Sequence, residues 1–406
     1  MLPSLPVQLP LITDDANRTV LYAAIKLNSH TNLLPISQHL KYINYQYQKG
    51  EQKVFQPSKA TIALLEDIER RIDPATEEDF QQQWRDFLHN KFNGDIFQPV
   101  RKKLSAPTVP TPKININDAL ADYDMMLQRE LAVVSNNLNS TGQSLCVRAN
   151  YGTGILSSVF GAKIFVMPYE MNQLPTTHAF NDTERIRAMV EAGMPDLETG
   201  FGKQVFEMGS IYKEVFSAYP KIQKYVHVYH PDLQGPLDIA ELLWGGEMFY
   251  AMYDKPELVH AALSLITDTY TAFMDRWFEL FPCTAEAKPH WPFVWHLGKI
   301  FLRSDSAMNL SPALYEEFSV PYDTKLLDHF DGGAMHFCGR GDHYIEMLCK
   351  IPKLYCINLS QPQYNNMETI YSNTVDKGIY IVGFNRDRAR EDLSRENGFN
   401  HCLHDA

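Results

Sequence analysis

The chain has 406 residues, 45% of them apolar, enough for one large domain with an added region or for two domains around a sizeable core. Its formal net charge of −12 excludes a general nucleic-acid binder, which needs a cationic face, and disfavours an anionic membrane surface. No apolar run reaches bilayer length, the proline-broken start lacks a basic signal-peptide region, and the six cysteines are too sparse for a disulfide scaffold, so a reduced, cytoplasmic protein is expected.

Residues 1–103 read as a helical N-terminal region. KATIALLEDIERRI (59–72) repeats apolar residues at helical spacing, and so does 75–92, where Glu77 and Glu78 suit a helix N-terminus. No catalytic constellation lies there; the region reads as a cap or an oligomer contact. The stretch LSAPTVPTPKININ (104–117) is a Pro-rich connector, because proline fixes φ and removes backbone donors. From 118 to 406 short β-rich runs alternate with helical ones. Strands are expected over 146–151, 163–167, 224–230, 299–305, 333–339, 354–360, 379–385 and 399–404, with helices such as 257–281 and 312–330 between them. Eight strands alternating with helices predict the α/β class and a (β/α)8 barrel carrying a helical N-terminal extension.

Catalytic groups of such a barrel sit at the C-terminal ends of its strands. Polar residues gather there: Tyr151, His230, Asp232, Asp305, His336, Cys338, Asn358, Ser360, Asn385, His401 and Cys402. In GAMHFCGRGD (333–342), His336 and Cys338 are two residues apart and project to the same side of a strand. A neutral imidazole and a thiolate are ligands that Zn2+ favours, and Gly339 and Gly341 let the chain turn away sharply. A third ligand must come from elsewhere: Cys402 first, with His401 and His404 as competitors. The competing reading makes His336 a hydrogen-bonded core histidine and Cys338 a packing residue. GTGILS (152–157) resembles the start of a dinucleotide fingerprint but lacks its third glycine, so tight packing at a barrel turn accounts for it better. The aromatic segment HWPFVWHLGKIF (290–301) is read as core rather than as the wall of a pocket, with His290 and His296 as spare ligands.

The run LRSDSAMNLSPALYEEFSVPYDTKLLDHFDGGAMHFCGRGDHYIEML (302–348) resembles the uroporphyrinogen decarboxylase superfamily, where an acidic turn precedes an SPxxYxEF helix and a strand ending HxCG. The segments 231–263, 151–165 and 380–386 are similar to further blocks of it in the same order. That superfamily holds both porphyrinogen decarboxylases and zinc methyltransferases that move a methyl group between a corrinoid and a thiol such as coenzyme M. The decarboxylase pattern carries an arginine-rich RxxGRY motif, yet the first sixty residues here contain only Arg18. Its aspartate after the first strand is replaced by Gly154. The resemblance to the methyltransferase branch implies Zn2+ held by His336, Cys338 and Cys402, with catalytic roles for Asp305, His230 and Tyr151. Asp232, Gln234, Asn358 and Asn385 then line the substrate side. It implies a corrinoid, free or on a corrinoid protein, as one partner and a small-molecule methyl acceptor as the other, with no nucleic acid and no membrane. Homo-oligomerisation stays open. The alternatives are a decarboxylase-like enzyme acting on a tetrapyrrole and a non-catalytic barrel that binds a corrinoid or a partner.

Overall fold

The computed structural model describes residues 55–406, so the expectations for residues 1–54 lie outside it. Helix α1 (Lys59–Arg71) starts at Ser58, whose hydroxyl accepts the Thr61 N–H; α2 (Pro74–Leu88) starts at Asp73, whose carboxylate accepts the Thr76 N–H. Their inner faces bury Leu64, Leu65, Ile68, Phe80, Trp84 and Phe87. Arg101 ties α2 to the chain beyond it. Its wholly buried guanidinium pairs with Glu77 at 2.8 Å and also donates to the carbonyls of Asn137, Ser140 and Gln143.

Eight parallel strands follow in chain order: β1 (Ile96–Phe97), β2 (Cys146–Val147), β3 (His227–Val228), β4 (Ile300–Arg303), β5 (Gly333–Phe337), β6 (Leu354–Leu359), β7 (Tyr380–Phe384) and β8 (Leu403–Asp405). Six form one sheet in the order β1-β8-β7-β6-β5-β4, and β2 pairs with β3. This is the α/β arrangement of a TIM-barrel-like fold, and the hydrogen-bonded ladder does not close between β1 and β2 or between β3 and β4. Apolar rows such as Leu302, Met335 and Ile357 are fully buried, and the core runs on without a break into α1 and α2.

Three expectations are corrected. The run at 163–167 is not a barrel strand: Lys163–Phe165 pairs antiparallel with Thr176–His178 in a separate hairpin. Gly152 (φ +74°) lies under that hairpin, and a Cβ there would stand 2.3 Å from the Pro175 carbonyl, which is the close packing expected of GTGILS. The missing strand is β1, two residues long and too short to show a period. Because β1 pairs with β8, residues 55–103 belong to the same compact unit as the barrel. The helix expected over 312–330 is two helices, Pro312–Phe318 and Val320–His329, separated at Ser319 where Pro321 withholds a backbone donor. The last strand starts at Leu403 rather than 399, because Asn400 and His401 take positive φ and turn the chain.

At the open seam between β3 and β4, His230 joins the strands directly. Its Nδ1–H donates to the Pro231 carbonyl at 2.8 Å and its Nε2 accepts the Phe301 N–H at 2.9 Å. Both ring nitrogens are spent and burial pushes its pKa down to about 3, so His230 is a neutral structural bridge and not the expected catalytic group. A hairpin of Lys288–Trp291 and Val294–His296 covers the same seam.

Candidate metal centre

Register places Arg303, His336 and Asn358 side by side on β4, β5 and β6 near the strands' C-terminal ends. His336 lies within β5 and Cys338 just past it, and the two side chains project together as the spacing requires: Nε2 and Sγ are 3.3 Å apart. Asp305, two residues beyond β4, brings Oδ1 to 3.5 Å from the same Nε2 and accepts the Cys338 N–H at 2.6 Å. One ligand atom from each of Asp305, His336 and Cys338 lies within 4.8 Å of the others, and this is the sole such group of metal-capable side chains among the described residues.

The tautomer of His336 is fixed from behind. Asn358 donates Nδ2–H to the carbonyls of Val382 (2.6 Å) and Gly383 (3.2 Å), which leaves its Oδ1 as acceptor for His336 Nδ1–H at 2.6 Å. Nε2 therefore presents its lone pair to the thiol and the carboxylate. Burial lowers the His336 pKa, against the opposing pull of Asp305 and Asn358, so the ring is neutral at pH 7. Burial likewise pushes the Cys338 thiol up to about 11; the Ser360 hydroxyl, donating to Sγ at 3.0 Å, opposes this and the Asp305 carboxylate adds to it. Gly339 (φ +74°) turns the chain beside Met308, and its N–H goes to Gln361 Oε1 at 2.7 Å.

Imidazole nitrogen, thiol sulfur and carboxylate oxygen converge on one point. Tetrahedral Zn2+ with ordinary bond lengths sets such ligand atoms about 3.4–3.6 Å apart. The 3.5 Å separation falls in that range and the 3.3 Å separation just below it, and the Asn358 backing is the outer hydrogen bond that metal-binding histidines carry. The residues fit the ion.

The other expected site residues fall into three places. Asn385 caps the Arg386–Glu391 helix and lines, with Trp291, Phe293, Asn358 and Ser360, a cleft of about 390 Å³ that reaches the cluster at His336. Asp232 and Gln234 are buried at the seam. Asp232 stands between Arg148 (3.1 Å) and Arg303 (3.0 Å), two guanidiniums that overcome the burial penalty and keep its pKa low. Tyr151 is fully buried against Phe201 with its hydroxyl unpartnered.

Cys402 is not brought to His336 and Cys338. It precedes β8, its Sγ directed to the Asn400 carbonyl at 3.2 Å, at the opposite end of the strand from the centre. His401 holds the Gly94 carbonyl, and His404 accepts the Gly383 N–H beneath Trp84. None of the three completes the ligand set; Asp305 occupies that position, since the turn after β4 lies beside β5 whereas β8 is three strands away. The aromatic segment is divided: Trp295 is core, while Trp291 and Phe293 form the cleft wall. Two contributors carry no sequence signal of their own, Gln361 and Asp238, because each acts through backbone N–H groups that only the fold brings near.

No family model matches the chain, and no curated protein matches it in sequence. Among solved structures it is similar to a methyltransferase from Methanosarcina mazei, with a TM-score of 0.53 at 15% identity, over 80% of this chain and 92% of that one. At that identity the likeness is one of fold. Among the described residues no helix is long and apolar enough to cross a membrane, and all six cysteines are free thiols.

Proposed function

We propose that the protein is a zinc-dependent methyltransferase that moves a methyl group between a corrinoid, free or on a partner protein, and a small thiol. The convergence of Asp305, His336 and Cys338 on one point, with the His336 lone pair fixed by Asn358, carries this reading. Zn2+ bound there supplies a Lewis acid that favours the thiolate form of a substrate thiol at neutral pH. The chain's own part is to hold three ligand atoms and to orient the substrate. Trp291 and Phe293 wall the cleft on one side, and Asn385 and Ser360 offer polar groups on the other. In the reaction the thiolate sulfur takes the methyl group, the carbon–cobalt bond breaks, and its electron pair stays with the corrinoid.

The interior arginines weigh against the decarboxylase alternative. Arg148 and Arg303 both pair with Asp232 and, of their buried nitrogens, only Arg303 Nη1 is left without a partner among the described residues, so the interior offers no cluster of free guanidiniums for several substrate carboxylates. The test is metal content followed by turnover. Protein purified without chelator or polyhistidine tag should hold one equivalent of zinc, and Cys338→Ser should lose most of it while keeping its far-UV spectrum. With zinc, methylcobalamin and a small thiol should give the thioether and demethylated corrinoid, read from the visible spectrum. Absence of zinc even after reconstitution under reducing conditions would overturn the proposal.

A further inference from the structure

We propose that Asp238 is a positioning residue for the metal centre, a buried carboxylate that fixes the Asp305 turn without touching the ion. The inference rests on the metal-binding reading above. Asp305 lies in irregular chain beyond β4, and its side chain is 41% exposed, so packing does not hold it. Its backbone is held instead. The Asp305 N–H donates to Asp238 Oδ2 at 3.0 Å and the Ser306 N–H to Asp238 Oδ1 at 2.8 Å. One carboxylate thus accepts two successive amides and clamps the turn from which the third ligand projects.

The clamp stands on a rigid base. Asp238 belongs to helix α3 (Pro236–Trp244), whose Leu237, Ile239, Ala240, Leu243 and Trp244 are all buried. Glu241, three residues on and on the same face, accepts the Ser306 hydroxyl. Asp238 itself is 4% exposed and forms no ion pair among the described residues, so its charge is answered by hydrogen bonds of the Asp305–Ser306 turn and not by a cation. A buried carboxylate is costly unless hydrogen-bonded. A position that served packing alone would be filled better by an apolar residue. What the carboxylate supplies is a two-point hold on Asp305, which a single acceptor cannot give.

Asp238→Asn keeps the volume but sets an NH2 group against one of the two amides, so one hold is lost. Outer hydrogen-bonding partners of metal ligands are worth roughly 10- to 100-fold in affinity. Zinc affinity, measured by competition with a chromophoric chelator, should fall by that factor in Asp238→Asn at a temperature where the apo variant is still folded by far-UV spectrum. The d–d bands of the Co2+-loaded variant should shift as Asp305 loosens. Ser306→Ala, which keeps both amides, should bind zinc within a few-fold of wild type. If Asp238→Asn does not fold, the smaller Asp238→Ser, with a single acceptor, should show the same loss. Wild-type affinity and wild-type Co2+ bands in the Asp238 variant would overturn this inference and leave the metal centre standing. Wild-type protein that takes up no zinc would withdraw both.

Discussion

Asn358 does two jobs with one amide. Its Nδ2 satisfies carbonyls on β7 and its Oδ1 orders the imidazole on β5, so the tautomer of His336 is set by the backbone of a third strand. Asn358 is 4% exposed, and water cannot replace these bonds without a cavity. Asn358→Ala should strand the His336 Nδ1–H and the Val382 carbonyl. A buried polar group left unpaired costs about 1–3 kcal/mol, visible as a lower urea midpoint. Zinc affinity should fall as well, by roughly 10- to 100-fold, because the ring is then free to turn or change tautomer. Equal zinc affinity in the variant would show that the ring is held by its packing against Trp291 instead.

At the scale of elements, the two-residue strand β1 decides where the folding unit begins. It covers the edge of β8, and α2 behind it stacks Trp84 on Trp295 at 5.9 Å and over His404. A chain beginning at residue 104 would uncover the β8 edge and remove the partners of Trp295 and Leu403. Such a fragment should be insoluble or should lose its near-UV spectrum, whereas a chain beginning at residue 55 should keep it. A cooperative unfolding transition in the 104–406 fragment would contradict that. Trp84→Ala in the full chain should cost about 3–5 kcal/mol, the usual range for truncating a buried aromatic. The same elements explain what the sequence disclosed. β4 to β7 were readable because each is an apolar run broken by polar or glycine residues, and His336 and Cys338 because i and i+2 share a face whatever the fold. β1 was invisible because Ile96–Phe97 is shorter than one strand period. KIFVM looked like a strand and is one, but no local pattern says which partner it pairs with. The candidate third ligand is hard to read for a related reason: residue type points to Cys402, whereas strand order, which only the assembled sheet fixes, puts Asp305 next to His336.

For the molecule as a whole, the notable cost is a set of buried neutral histidines. Burial lowers the pKa of His227 to about 4 and of His230 and His404 to about 3, and puts His290 and His296 well below their ordinary value. Each folded-state pKa lies below the unfolded value near 6.5. The stability they confer is therefore complete above pH 6.5. It declines as pH falls below 6.5, because the unfolded chain binds protons that the fold refuses, and the decline for each ends only below its folded pKa. Each histidine contributes a slope of about 1.4 kcal/mol per pH unit within that window. Three buried acids act the other way, Asp323, Asp238 and Glu130, each lifted by burial. Burial raises Asp323 to about 7 and Asp238 to about 6, so the stability they offer is present at low pH and lost as pH rises through those values. Five histidines outnumber them, and the melting temperature should fall between pH 6.5 and pH 5. His230 isolates one contributor. Around it stand Arg303 and Lys288, which disfavour its charge, and Asp232, which favours it more weakly than burial opposes it. His230→Gln keeps an acceptor for the Phe301 N–H and removes the titrating ring. The variant should be less stable at pH 8, where the bridge to Pro231 is weakened. Its stability, measured by urea titration at successive pH values, should fall less steeply below pH 6.5, by about one proton's worth of slope. An unchanged slope would mean that His230 is protonated in the fold and that the β3–β4 seam admits water.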